Sequence, residues 1–359
     1  MSNQKIFDNN LISNVKTIIK DKNFKNSLIF TSPGNVKREG SELIINILKQ
    51  FNIPHKIFLV DGYPSPNSIY KAIQERNLSK IDLIISVGGG SVMDTAKIAS
   101  ACSAVEVNNS GIDNLISTNK IFHIAIPTTA GSGAESTKFA TIWSKETNEK
   151  LSYENEKIIP EIVLLSPELT MTLPKNITLA TSLDALCHCI DSLLNRYKND
   201  ESIDHGLQSI KLINKALPLL LNNLGNRGLR KDILKASNLA GKAINISKTS
   251  LNHAISYPIT NLYNLEHGYA CAFSVMSTIK MYENEITKLS YGSNLFESAN
   301  LISTLKLEDN IRNKIKNLDV NKVLNLLVSN NRLSNFLFDI KNSDIKKILI
   351  DSKNHYCLY

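Results

Sequence analysis

The sequence predicts two architectures in series: an α/β domain over residues 1–165 built on a mostly parallel sheet, then an all-helical domain over 166–359. Three observations predict it. Short apolar runs of strand type alternate with helical patterns through the first half, and a glycine triplet, Gly88-Gly89-Gly90, lies between a buried strand and a helix. From about Pro167, strands give way to long periodic apolar stretches opened by Ser, Thr or Pro.

In chain order, residues 5–25 combine a short start with a helical pattern (Ile12, Val15, Ile18, Ile19), and Ser27-Leu28-Ile29-Phe30-Thr31 reads as a buried strand ending at Ser32-Pro33-Gly34. A helix over 39–51 leads to a strand over 56–60, and a helix over 68–76 leads to a strand over 82–87. That strand enters Gly88-Gly89-Gly90-Ser91 and the helix Val92-Met93-Asp94-Thr95-Ala96-Lys97-Ile98-Ala99. Glycines let backbone approach a ligand closely, and the start of the helix offers unpaired amides and the positive end of its dipole, so a pyrophosphate is the expected guest. The triplet is neither a Walker loop nor a G-x-G-x-x-G fingerprint. A strand over 122–127 then opens onto Thr128-Thr129-Ala130-Gly131-Ser132-Gly133, small donors and acceptors suited to a cofactor's ribose and carboxamide. Phe139 to Trp143 reads as a further strand, and helices are expected over 176–196, 202–222, 228–247 and 268–289 and in several stretches to the end.

The net charge of +8 comes from Lys residues spread along the chain, without a block of like charge, and is read as a solvated surface that helps gather anionic ligands. No nucleic-acid partner is expected. Cys102, Cys187, Cys189, Cys271 and Cys357 are an odd set without repeated spacing, which argues against a disulfide framework and for a reducing cytoplasm. Neither a signal peptide nor a membrane span is expected, because nowhere do 18 consecutive apolar residues occur.

Within Ser182-Leu183-Asp184-Ala185-Leu186-Cys187-His188-Cys189-Ile190-Asp191, a carboxylate and an imidazole stand four residues apart in an apolar run. On a helix both project from one face. His253 and His267 are two more imidazoles set among apolar residues, and the four together form a candidate metal site. A single buried histidine is ordinarily structural, and His55, His123, His205 and His355 are read that way.

In their order along the chain, Gly88-Gly89-Gly90-Ser91-x-x-Asp94-x-x-Lys97, Ile126-Pro127-Thr128-Thr129-Ala130-Gly131-Ser132-Gly133-x-Glu135, Pro167-Glu168-Leu169-Thr170, Asp184-Ala185-Leu186-x-His188 and His253-x13-His267-Gly268 resemble the signatures of the iron-dependent (group III) alcohol dehydrogenases of the dehydroquinate synthase-like fold. The resemblance covers roughly residues 28–280. It implies that Asp184, His188, His253 and His267 bind Fe2+, or Zn2+ as in some relatives. For the dinucleotide it implies that Gly88, Gly89, Gly90 and Ser91 hold the pyrophosphate, with Ser32 and Asp94 as further cofactor contacts. Thr128, Thr129 and Ser132 would line the nicotinamide side, and Lys150 would reach the ribose. The implied reaction is reversible aldehyde/alcohol oxidoreduction by hydride transfer, with a homodimer as the expected assembly.

Two departures sharpen this. Many relatives carry a histidine four residues after the third ligand, thought to help relay a proton; here it is Tyr257, a phenol that can donate a proton but cannot shuttle as imidazole does. Relatives specific for NAD commonly place an Asp after the first strand, whereas this chain has Thr31-Ser32-Pro33-Gly34 with Lys37 and Arg38 behind, which favours NADPH over NADH. Several stretches, above all Lys248-Thr249-Ser250-Leu251-Asn252-His253-Ala254-Ile255-Ser256-Tyr257-Pro258-Ile259-Thr260, resemble the phosphonoacetaldehyde reductase branch. A phosphonate dianion needs cations, and Arg196 and Lys248 are the candidates. The rival readings are a generic short-chain aldehyde reductase, a polyol dehydrogenase or dehydroquinate-type lyase, and a catalytically silent metal- and nucleotide-binding relative.

Overall fold

A computed structural model describes residues 4–38, 40–108, 111–116, 120–144, 149–327 and 332–357, with side chains at 103–116, 144 and 149–151 left aside. The chain divides into two compact units, Met1–Thr129 with Gly133–Thr172, and Ala130–Ser132 with Leu173–Tyr359.

In the first unit the elements run β1 (Lys5–Phe7), α1 (Leu11–Lys22), β2 (Ser27–Thr31), α2 (Pro33–Lys37), α3 (Glu42–Gln50), β3 (His55–Leu59), α4 (Pro66–Leu78), β4 (Leu83–Gly88), α5 (Gly90–Ala101), β5 (Cys102–Asn108), β6 (Gly111–Ile116), β7 (Phe122–Pro127), β8 (Phe139–Ser144), β9 (Glu149–Glu154) and β10 (Ile162–Leu164). Six strands form one sheet in the order β1-β10-β7-β4-β2-β3, every pair parallel. Alternate residues of β2 serve opposite faces, as the pleat requires. Leu28 and Phe30 pack with Ile69, Ile73, Val92 and Ala96 of α4 and α5, and Ile29 packs with Val15, Ile19, Ile44 and Leu48 of α1 and α3. With helices on both faces, β2 and β4 are buried along their whole length, which is why they read as unbroken apolar runs. Two antiparallel hairpins, β5–β6 and β8–β9, stand apart from this sheet. The strand order reverses between β2 and β4, so the carboxyl ends of these strands form the switch point at which doubly wound sheets bind ligands.

The second unit is helical: α6 (Lys175–Leu193), α7 (Asp200–Asn222), α8 (Arg227–Ser247), α9 (Leu251–Tyr263), α10 (His267–Ala272) and further helices to Cys357. Local signals set several starts. Asn199 and Ser202 form a reciprocal capping box on α7, and the Asn226 side chain accepts from Leu229 N–H at the start of α8. The helix α9 was not expected from the sequence, because Pro258 lies inside it and removes one amide donor. Tertiary contacts hold it nonetheless. The single helix expected over 268–289 is instead three, α10, Val275–Met281 and Glu283–Ile286. No helix among the described residues is long and apolar enough to cross a membrane.

Candidate metal centre and dinucleotide cradle

The cradle lies at the switch point. Thr31 is paired with Val87, and Gly88 with Pro127, so the residues leaving β2, β4 and β7 are neighbours: Ser32, Gly89 to Ser91, and Thr128 with Thr129. Thr128 N–H donates to Gly88 O at 2.9 Å. Gly89 occupies the N-cap of α5 without a capping side chain, leaving the amides of the first turn facing outward. A Cβ at Gly88 would meet Val92 Cγ2 at 2.6 Å, and one at Gly89 would meet Thr129 Oγ1 at 3.0 Å. The first position is therefore crowded by its neighbour, and the second would need Thr129 to give way slightly.

Ser32 caps α2 by accepting from Asn35 N–H, and the buried Asn35 amide donates to Thr31 Oγ1 and Val87 O, locking the β2 exit to β4. Lys37 and Arg38 follow on the exposed side. Asp94, expected at the cofactor, accepts from Thr141 N–H at 2.9 Å and stands 3.5 Å from Lys97 Nζ. The fully buried Lys97 donates to Ala134 O, Thr137 Oγ1 and Phe139 O. Together they tie the loop after β7 to α5. Ser132 belongs with Ala130 and Gly131 to the helical unit. Lys150 falls on β9, and its side chain lies outside the described residues.

In the helical unit, α6, α9 and α10 bring the four candidate ligands together. Asp184 Oδ1 lies 3.4 Å from His253 Nε2, 3.7 Å from His188 Nε2 and 3.7 Å from His267 Nε2. These separations are too long for good hydrogen bonds. They are those of donors sharing one ion, since two ligands each about 2.1 Å from a tetrahedral metal stand about 3.4 Å apart. Asp184, His253 and His267 therefore fit a divalent cation by donor type and by spacing, and His188 approaches the group through Asp184. Gly268 allows the approach of α10 to α6: a Cβ there would sit 1.7 Å from Ala180 O.

The orientation of His253 comes from Asp191, a fully buried carboxylate that the sequence reading did not single out. It accepts from the backbone N–H groups of Ser250, Asn252 and His253 and from the Asn252 amide. Its Oδ2 lies 2.9 Å from His253 Nδ1. An acceptor-only group requires Nδ1 to carry the proton, which leaves Nε2, on the side of Asp184, as the nitrogen that a cation would engage. The same carboxylate caps α9, whose N-cap Ser250 makes no side-chain cap of its own. Burial alone would raise the Asp184 pKa, but the imidazoles of His188, His253 and His267 pull it far below the usual carboxylate range. Burial opposes a charge on His253, yet Cys271, Asp184 and Asp191 outweigh it and raise its pKa. Burial lowers His188 to about 4.

A further donor, Cys271, groups with Asp184, His253 and His267 within 4.8 Å, its Sγ 3.7 Å from His267 Nε2. The signal was its spacing, one helical turn after His267. Tyr257 stacks on His267, ring centres 5.7 Å apart and planes within 6°. The two cations expected at a phosphonate are placed otherwise. Arg196 donates through Nε to Phe336 O at 2.7 Å and through Nη2 to Asp339 Oδ1 at 2.6 Å, so it corrects to a tie between two segments of the helical unit. Lys248 is exposed at the C-cap of α8 with φ 68°, its carbonyl accepting from the Asn195 amide.

Comparison with known proteins agrees with this geometry. Residues 2–167 match the family described as iron-containing alcohol dehydrogenase, and residues 178–349 match the C-terminal region of the Fe-containing alcohol dehydrogenase family. Phosphonoacetaldehyde reductase of Streptomyces viridochromogenes is 32% identical over 224 residues, 60% of this chain and 57% of that protein. NAD-dependent methanol dehydrogenase of Bacillus methanolicus is 28% identical over 285 residues, 76% of this chain and 74% of that one. The chain thus matches less than two thirds of the length of the first relative and more of the second. Among solved structures, sulfoacetaldehyde reductase from Bifidobacterium kashiwanohense in complex with NAD+ superposes with a TM-score of 0.88 over 98% of both chains at 20% identity, a likeness of fold.

Proposed function

Because the chain belongs to the iron-containing alcohol dehydrogenase family, we propose that it is a metal-dependent, NAD(P)H-linked reductase that takes an aldehyde to its primary alcohol. We further propose phosphonoacetaldehyde, reduced to 2-hydroxyethylphosphonate, as the preferred substrate. The observation that carries the reading is the convergence of three imidazole Nε2 atoms on Asp184 Oδ1. The substrate is supported by the likeness to the phosphonoacetaldehyde reductase of Streptomyces viridochromogenes.

Asp184, His188, His253 and His267 would hold Fe2+, with Zn2+ the alternative for a carboxylate and imidazole set. When bound, the metal supplies Lewis acidity at the substrate oxygen and the reduced nicotinamide supplies the hydride. Asp191 keeps the proton on His253 Nδ1, so that ring stays a ligand through Nε2. Tyr257 Oη is the proposed proton donor to the product oxygen, with Tyr257 positioned by its stack on His267. Gly88 to Ser91, Ser32, Thr128, Thr129, Ser132 and Lys150 are the proposed cofactor contacts, and the exposed Lys37 and Arg38 favour the 2'-phosphate of NADPH.

The test is an anaerobic assay of the Fe2+-loaded protein with NADPH or NADH against phosphonoacetaldehyde, acetaldehyde, butyraldehyde and glycolaldehyde. We expect the highest kcat/KM with phosphonoacetaldehyde and NADPH. Equal kcat/KM for simple aldehydes makes the protein a generic short-chain reductase, and a kcat/KM with NADH at or above that with NADPH removes the cofactor assignment. Bound metal and cofactor without aldehyde-dependent NADPH oxidation would mark a silent relative.

A further inference from the structure

Resting on the aldehyde-reductase reading, we propose that Arg332 is the residue that grips the anionic end of the substrate and so sets the preference for an acidic two-carbon aldehyde. No motif marks it along the chain; tertiary contacts place it. Its guanidinium carbon lies 4.8 Å from the centre of the Tyr257 ring. That ring is parallel, within 6°, to His267 at 5.7 Å, and His267 Nε2 faces Asp184. The cation is therefore no farther from His267 than these two separations combined. A two-carbon aldehyde with its oxygen at the imidazole cluster carries its acid group about one carbon–carbon and one carbon–phosphorus bond beyond the carbonyl carbon, and Arg332 is a cation held on the ring that stacks against a proposed ligand.

The segment bearing Arg332 is fixed in part by Arg196. Arg196 N–H donates to Asn335 O at 2.8 Å, Leu337 N–H to Leu194 O at 2.9 Å, and the Arg196 Nε to Phe336 O. The Asn335 amide donates to Thr249 O at 2.9 Å. Phe336 is fully buried and packs edge-on to Tyr282 and Phe338. Asn335 N–H closes the turn onto Arg332 O at 3.1 Å. Arg196 thus acts at one remove, as a positioning residue for the turn that begins at Arg332. A guanidinium over an aromatic ring keeps its charge in a half-buried setting, and its planar fork of donors matches two oxygens of a phosphonate or sulfonate. A neutral aldehyde has nothing to offer that fork.

The experiment compares the metal-loaded wild type with Arg332→Gln, Arg332→Lys and Tyr257→Phe on phosphonoacetaldehyde, sulfoacetaldehyde and butyraldehyde. Alongside, calorimetric titration with 2-hydroxyethylphosphonate reads binding without turnover. In Arg332→Gln the ratio of kcat/KM for phosphonoacetaldehyde to that for butyraldehyde should fall about 100-fold, mostly through KM, and the Kd for 2-hydroxyethylphosphonate should weaken by a similar factor. Arg332→Lys should recover about a tenth of the lost preference, having the charge without the fork. Tyr257→Phe retains the ring and should retain the calorimetric affinity. A larger loss with phosphonate than with sulfonate identifies the dianion as the ligand, and the reverse identifies the monoanion. A ratio and a Kd within about threefold of wild type in Arg332→Gln overturn the proposal. If the wild type reduces no aldehyde but binds 2-hydroxyethylphosphonate through Arg332, the reductase reading falls and the anion site stands.

Discussion

At the scale of single residues, the arrangement depends on groups that never touch substrate. Asp191 receives five donors, and the direction of each requires it to remain an acceptor. In Asp191→Asn the amide can present a donor to His253 Nδ1, which moves the ring proton to Nε2 and removes a ligand. Metal affinity should fall about 10- to 100-fold, read by competition with a chromophoric chelator, and the start of α9 should lose its cap. Gly268→Ala acts through shape, since its Cβ would overlap Ala180 O and push α10 from α6. It should weaken metal binding as much as the loss of a ligand does, whereas Gly225→Ala, whose Cβ meets only the Asn223 side chain at 3.9 Å, should bind metal like wild type. The Asp184 and His188 pair was legible in the sequence because one helix carries both at a four-residue spacing. Asp191 and Arg332 were not, because each acquires its role through contacts with chain far away in sequence.

Among the elements, α5 joins the glycine triplet to the loop after β7 through one buried cation. Burial lowers the Lys97 pKa while Asp94 and Glu135 oppose that shift, and three oxygen acceptors complete its shell. Lys97→Met leaves Asp94 without its countercharge and those oxygens without a donor. It should cost about 3 kcal/mol of stability, seen in urea unfolding, and raise the Kd of the dinucleotide. A second element-level effect lies between β7 and β4, where His123 is fully buried with Nε2 2.7 Å from Ser86 Oγ. Burial first, then Lys120 and Lys97, hold its pKa well below 6.5. The folded chain keeps it neutral while the unfolded chain binds a proton below about 6.5, so its contribution to stability is complete above that pH and shrinks as pH falls. The loss of Tm between pH 7.5 and 5.5 should be smaller in His123→Gln than in wild type. The parallel strands and the helix after the triplet were legible because burial on both faces leaves continuous apolar runs. The helix α9 was hidden by Pro258; β8 was legible as the run from Phe139 to Trp143, whereas its partner β9 and the hairpin β5–β6, which stand apart from the main sheet, were not.

For the whole molecule, the division of labour follows the division of the chain. All four proposed metal ligands lie on α6, α9 and α10 of the helical unit, whereas Ser32, Gly88 to Ser91, Thr128 and Thr129 lie in the α/β unit. Three imidazoles crowd one carboxylate at distances too long to hydrogen-bond well. A bound cation links three helices, and ligand linkage makes its effect on stability grow with concentration, about 2.7 kcal/mol at a hundred times Kd. Chelation should therefore lower the Tm and abolish aldehyde reduction, with both restored by adding Fe2+ or Zn2+. The dinucleotide should still bind the chelated protein with a Kd within about threefold of the loaded form, because the switch-point residues and the amides of α5 owe nothing to the ion. A Kd that weakens tenfold or more on chelation would show that the metal organises the cofactor cradle as well, contrary to the expectation that the α/β residues and the amides of α5 carry most of the dinucleotide affinity.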